Sequence, residues 1–439
     1  MACKLPASEA LGAWQPVVET LACWRAEGLE AAQAFWHRSG RAACLHANGA
    51  LIGCALELDQ RLAQAPGPRL LVDGVWFCRP PGGITRVWEQ VLRCWALPGL
   101  LTPQAPLRLV DRDSHLALTA RFDCVSAAAV DPLDSSAVAE LDADNLSHAQ
   151  AWGATAFLSS WISTCARPSG QAPLPELVFV HDCLPERSTM PPELARQRRR
   201  WLLGSSRQLA VSAATAQDLE GLLGLSCGSV PWCHSTADPV FAATVQDPAA
   251  DRLWATLVDR AGLRPPFVLL PATSAIGSYK NPELVAAALV NLPELQLVLC
   301  GVGAGARAHE LLMAYPALDG RCLGVGFTEL ELALAYRHAL AVVLPSRVEG
   351  FGLPAVEAVA AGGRLIVADS RGLREAAAEA GLRVSADDPG QLKRLLELLH
   401  HSPSRVWLDP FLTKRREQRL SRCCPDLLGL ALLASARSL

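Results

Sequence analysis

Two patterns of hydrophobic and polar positions recur along this chain. One is a continuous apolar run of four or five residues; the other places apolar residues three and four apart. A strand buried on both faces of a parallel sheet produces the first, and an amphipathic helix the second. Strand-like runs stand at residues 69–73, 107–111, 154–159 and 177–180, and a further strand leads into the helix at LAVSAATAQDLEGLLG. They resume at 267–270, 295–301, 324–327, 341–344 and in the stretch RLIVADS. Helical spacing fills the intervals, clearest at 84–95, 193–203, 329–339, 353–361 and 387–399. Two βαβα series joined by a connection predict two doubly wound α/β domains. The boundaries expected are a helical leader over 1–66, a first domain over 67–241, a second over 242–403 and a helical terminal segment over 404–439. Pro66, Gly67 and Pro68 mark the first break, and VPWCHSTADPVF reads as the connection between halves. Ser212 or Thr215 is placed to cap the helix that closes the first half.

The stretch AVVLPSRVEGFGLPAVEAVAAGG, from residue 341 to residue 363, carries the most chemistry. A buried strand is followed by a loop with Glu349, Gly350 and Gly352, and then by a helix with Pro354 in its first turn and two glycines at its end. Glu357 lies about one turn inside that helix. Both carboxylates are expected to look into the crevice at the strand's carboxyl end, where open α/β sheets bind ligands. The helix start adds backbone N–H groups and a positive dipole end suited to phosphate. Two acids beside an anion seat point to a ligand with both hydroxyls and phosphates, such as a nucleotide sugar.

Other candidates stand at equivalent places. Lys280 and Asn281 directly precede a predicted helix, where a lysine opposes the dipole and is better explained by an anionic ligand. His181 and Asp182 follow the strand at 177–180. Gly82 and Gly83 open the helix at 84–95, where the missing side chains let a backbone approach a diphosphate.

Composition narrows the class. The chain has 439 residues, 51% hydrophobic and 19% charged, with a formal net charge of -3. These values fit a folded protein, argue against disorder, and predict no strong attraction to nucleic acid or anionic membrane. No apolar run approaches the roughly 18 residues of a membrane span, although peripheral association stays open. The first residues lack the continuous apolar core of a signal peptide. Fifteen scattered cysteines without a C-x2-C pair suggest small buried hydrophobes in a reducing cytoplasm, and no metal site. The basic run ELARQRRRWLL reads as a solvated helix face with an apolar side.

The segment from Glu349 to Glu357, EGFGLPAVE, resembles the E-x7-E signature of retaining glycosyltransferases, family 4 in particular. Further likeness is strong over 267–400, patchy over 69–241 and absent from the leader. The resemblance implies the GT-B architecture, two facing Rossmann-like domains, with the terminal helix over 404–439 returning to the first domain. It also implies metal-independent transfer of a sugar from a UDP- or GDP-linked donor to an unidentified glycan, lipid-linked or protein acceptor, with no cofactor. By the same likeness Glu349 faces the donor sugar and Glu357 the ribose. Lys280, with the backbone from Gly350 through Phe351 to Gly352, stabilises the departing diphosphate, and Leu353 belongs to the same substrate-binding turn. His181 orients the sugar, and Asp182, Asn281, Gly82 and Gly83 complete the binding surface. One departure stands out. Many relatives carry an arginine shortly before the lysine, and none lies at 272–278 here. Arg347 is the candidate replacement. The alternative reading is a degenerate GT-B protein that serves as a binding or scaffold subunit.

Overall fold

The computed structural model describes residues 11–40, 49–80, 82–165, 174–186, 192–244, 249–271, 274–420 and 424–439. The chain divides into two compact units, one formed by residues 1–235 with 424–439 and the other by residues 236–423.

The first unit holds six parallel strands: β1 (Leu70–Asp73), β2 (Leu107–Asp111), β3 (Asp123–Ser126), β4 (Ala156–Ser159), β5 (Glu176–Val180) and β6 (Arg207–Ala210). Their spatial order is β3-β2-β1-β4-β5-β6, so the chain reverses direction of travel across the sheet between β1 and β4. All four residues of β1 and of β4 are buried, and apart from Asp73 and Ser159 at their carboxyl ends they are apolar. Ser212 caps the helix Ala213–Leu223, its Oγ accepting from Thr215 N at 3.0 Å.

The second unit repeats the plan with β7 (Phe267–Pro271), β8 (Gln296–Cys300), β9 (Cys322–Val325), β10 (Ala341–Leu344), β11 (Leu365–Ala368) and β12 (Gly381–Val384). All pairs are again parallel, in the order β12-β11-β10-β7-β8-β9. The reversal here falls between β7 and β10, paired through Ala341 with Val268 and Val342 with Leu269. Val268, Leu270, Val343 and Ile366 lie in one buried cluster with Leu284, Val285 and Leu289 of the helix Pro282–Leu289. The helix Leu353–Ala360 begins with Gly352 in the left-handed region (φ 108°) and Pro354 in its first turn. It ends where Gly362 N donates to Val359 O and Gly363 N to Ala358 O, the paired bonds of a Schellman stop.

Two edge strands, β3 and β12, were not expected. The terminal segment expected as one helical return is two helices. Ser402–Leu420 belongs to the second unit and Leu427–Arg437 to the first. Among the described residues no helix is long and apolar enough to cross a membrane.

Candidate functional site

The reversal point of the second sheet sets the site. Loops leaving β7 and β10 diverge there and open a crevice, which is where doubly wound sheets take ligands. The recess at that place is lined by Leu270, Ser274, Lys280, Pro345, Ser346, Glu349, Gly352, Pro354 and Leu373. Lys280 arrives from the loop after β7 and Glu349 from the loop after β10. Lys280 Nζ donates to Glu349 Oε1 at 2.7 Å, with the two side chains 22% and 13% exposed. Burial works to lower the lysine's pKa, but Glu349 and Tyr279 outweigh it and hold the ammonium above its ordinary value. The Tyr279 ring lies beneath, 5.1 Å from Nζ. The recess therefore carries one firmly charged cation neutralised by one carboxylate.

The other expected residues distribute around this pair. Gly350, Phe351 and Leu353 are buried in the loop and first turn of the helix. Glu357 is only 1% exposed, and the Tyr336 hydroxyl donates to its Oε2 at 3.1 Å. Of the two acids expected to look into one crevice, Glu349 does so. Glu357 is closed off because its helix buries nearly every side chain, and the position one turn in faces Tyr336 rather than the recess. Asn281, in the left-handed region at φ 55°, turns its Nδ2 to the carbonyls of Pro345 (3.1 Å) and Ala386 (2.8 Å). Its amide thus braces the loops after β10 and β12. Arg347 pairs with Asp387 and reaches Asn281 Oδ1 at 3.4 Å. Its side chain lines a neighbouring recess with Asp369, Ser370, Arg383 and Gln391.

Two residues that the sequence did not mark also shape the site. Tyr336, from the helix Glu329–His338, holds Glu357. Gly372 lies so close to the loop that a Cβ there would stand 2.2 Å from the Glu349 carbonyl oxygen. The only signal for Gly372 was a glycine shortly after a strand, which is common.

In the first unit, His181 and Asp182 follow β5, one strand away from the reversal point. The His181 ring packs on Phe179 at 4.5 Å, and its Nε2 has no hydrogen-bond partner among the described residues. Burial, and secondarily the positive Arg198, push its pKa down to about 3, so the ring is neutral near pH 7. Asp182 Oδ1 accepts from Leu184 N at 3.0 Å and Asp182 O from Arg198. Gly82 and Gly83 open the helix Gly83–Trp95, and a Cβ on either would meet nothing nearer than 3.8 Å. Packing within this unit therefore does not require glycine at either position.

The reversal point of the first sheet is filled differently. Asp73 Oδ1 accepts from Arg112 Nε at 2.8 Å and its Oδ2 from Asn145 Nδ2 at 3.0 Å and from Ser163. All four side chains are essentially inaccessible. A buried ion pair with its remaining hydrogen bonds satisfied braces β1, β2 and β4, and nothing in the sequence announced it.

Among the described residues no group of three or more His, Cys, Asp or Glu side chains is assembled that could hold a metal ion.

Known proteins share this architecture. A structure of Anabaena Alr3699/HepE in complex with UDP-glucose superposes with a TM-score of 0.63 at 16% identity, covering 84% of this chain and 98% of that one. At such identity the likeness is one of fold, and the fold is GT-B. Among curated proteins, a D-inositol 3-phosphate glycosyltransferase 1 of Catenulispora acidiphila is 29% identical over 239 residues, 50% of this chain and 55% of that protein. One of Frankia alni is 45% identical over 75 residues, 17% of this chain and 18% of that protein. The chain thus spans about half or less of the curated relatives it matches. Residues 265–410, the stretch that builds the recess around Lys280 and Glu349, match the family model described as Glycosyl transferases group 1.

Proposed function

We propose that this chain is a glycosyltransferase that moves a sugar from a nucleoside-diphosphate sugar to an acceptor hydroxyl, with retention of anomeric configuration and without a metal ion. The observation that carries the reading is the pair of Lys280 and Glu349 at the reversal point of the second sheet, inside the segment matched by the family model. Lys280 meets the diphosphate, where negative charge grows as the bond to the sugar breaks. Glu349 faces the sugar, orienting its hydroxyls and stabilising the positive charge that develops at the anomeric carbon. The backbone at Gly350, Phe351 and Gly352 lies alongside the phosphates. Glu357, oriented by Tyr336, accepts from the ribose hydroxyls, a contact that requires the residues covering it to part as the donor enters. The first unit takes the acceptor, with His181 and the turn at Gly82 and Gly83 at its carboxyl edge. A glycan, a lipid-linked sugar or a protein would each supply the hydroxyl, and the reading assigns no cofactor.

A screen of UDP- and GDP-linked sugars that reads release of the nucleoside diphosphate tests this, with wild type beside Glu349→Ala. A charge-assisted hydrogen bond contributes roughly 1.5–3 kcal/mol, so the variant should be slower by on the order of a hundredfold. Retention is checked by the anomeric configuration of the product, and metal independence by unchanged turnover in chelator. Binding of donors without turnover on any acceptor would favour the scaffold alternative, to which the absent arginine before Lys280 lends weight.

A further inference from the structure

Lys280 and Glu349 lie 69 residues apart in sequence and meet on the wall of one recess. In the reading above each has a separate task, one on the diphosphate and one on the sugar. Here they are spent on each other. A lysine ammonium is a compact point charge that serves a carboxylate or a phosphate equally well. Around one partly buried cation, two anions also repel each other. The backbone of Glu349 is not what gives way, because Gly372 packs directly against its carbonyl. Its side chain, with several rotatable bonds and 13% exposure, is the part able to swing.

We propose that the Glu349 carboxylate stands in for phosphate on Lys280, so that a nucleoside diphosphate must displace it, and that this displacement releases Glu349 toward the sugar. The inference rests on the donor reading and adds an order of events to it. The anion takes Lys280 first, and the carboxylate turns to the sugar second. The site is thereby kept neutral until a diphosphate arrives, and Glu349 is delivered only when the leaving group is seated.

The consequence runs against the usual effect of removing a binding-site acid. Calorimetric titration of the full chain with UDP and with GDP, using whichever the wild type binds, should show tighter binding in Glu349→Gln and Glu349→Ala by about three- to tenfold. The corresponding nucleotide sugar should gain less, since the variants also lose the sugar contact. Lys280→Met should weaken both ligands. Adding Glu349→Gln to Lys280→Met should bring no gain, because the competitor has nothing left to compete for. Circular dichroism on each variant secures the fold. Equal or weaker nucleoside diphosphate binding in both folded Glu349 variants overturns the proposal. So does a gain that persists without Lys280, which would trace it to general charge removal. If the folded wild type binds neither UDP nor GDP, the donor reading itself fails and this proposal falls with it.

Discussion

Glu349 is held from two sides, by Lys280 at its carboxylate and by Gly372 at its backbone. The second contact has a measurable consequence. A methyl at position 372, in the first turn of the helix Arg371–Ala377, would stand 2.2 Å from the Glu349 carbonyl oxygen and 3.1 Å from the Gly350 carbonyl carbon, so either that helix or the Glu349 loop must shift. Overpacking of this kind costs about 1–3 kcal/mol, and the displaced loop is the one that aims the carboxylate. Gly372→Ala should therefore lower the melting temperature and also cut nucleoside diphosphate release well below the melting range. Gly305→Ala, in the helix Ala304–Ala314 where a Cβ meets nothing within 4 Å, is the matched control and should leave both unchanged or slightly improved. Thermal unfolding and turnover on the same samples decide it. Glu349 and Lys280 were legible because each sits where a strand, a loop and a helix follow in order. Gly372 was not, because its partner is a backbone atom brought near only by the pairing of β10 with β11.

Elements were legible in proportion to their burial. β7 and β10 lie inside the sheet, and their sequences, FVLLP and AVVL, are apolar throughout. β3 and β12 each form one edge of their sheet; DCVS is largely exposed and GLRV only half-buried, so neither shows a continuous apolar run. β5 has a different feature, a titratable group at each end. Glu176, buried with its Oε1 accepting from Cys165 N at 2.7 Å, is raised by that burial to about 7, against an ordinary 4.5. His181, just past the other end, is lowered by burial to about 3, against an ordinary 6.5. The raised acid contributes stability that is full below pH 4.5 and lost as pH climbs through 7. The lowered histidine contributes stability that is full above pH 6.5 and lost as pH falls toward 3. Between about pH 4.5 and 6.5 the two slopes oppose and largely cancel. His181→Gln should uncover the acid, making stability fall with rising pH by about 1.4 kcal/mol per unit, and Glu176→Gln should uncover the histidine with the opposite sign. Denaturant unfolding followed through the first unit at several pH values in that window reads both slopes. Parallel profiles for the two variants would contradict the assignment.

At the scale of the whole molecule the repeated βα alternation made two doubly wound units legible, since each sheet is built from consecutive stretches of chain. What spacing alone did not reveal is which core the last helix joins. Leu427–Arg437 is apolar on every side and is packed among the helices Gly49–Leu62 and Gly83–Trp95 of the first unit. Trp95 Nε1 donates to the Gly429 carbonyl at 2.9 Å, and Gly429 lets the two helices approach where a Cβ would stand 2.6 Å from that of Cys94. Arg25 Nε reaches Asp426 at 3.1 Å, and Arg437 pairs with the buried Glu57, so charged contacts fix the register of an otherwise greasy rod. Leu428, Leu430, Leu432 and Leu433 are each at most 2% exposed. At roughly 1.5–3 kcal/mol for each buried leucine, their loss together rivals the whole stability of a typical domain. Removal of residues 424–439 should thus unfold the first unit and spare the second, whose core of Val268, Leu270, Val343 and Ile366 draws nothing from that helix. Of the 12 tryptophans only Trp254 and Trp407 lie in the second unit, so fluorescence reports mainly on the first. The truncated chain should lose the emission of buried tryptophan and amide-exchange protection across β1 to β6, while β7 to β12 stay protected. Retained protection in β1 to β6 would mean that the first unit closes its core without the returning helix, and simultaneous loss in both sheets would mean that the two units fold as one.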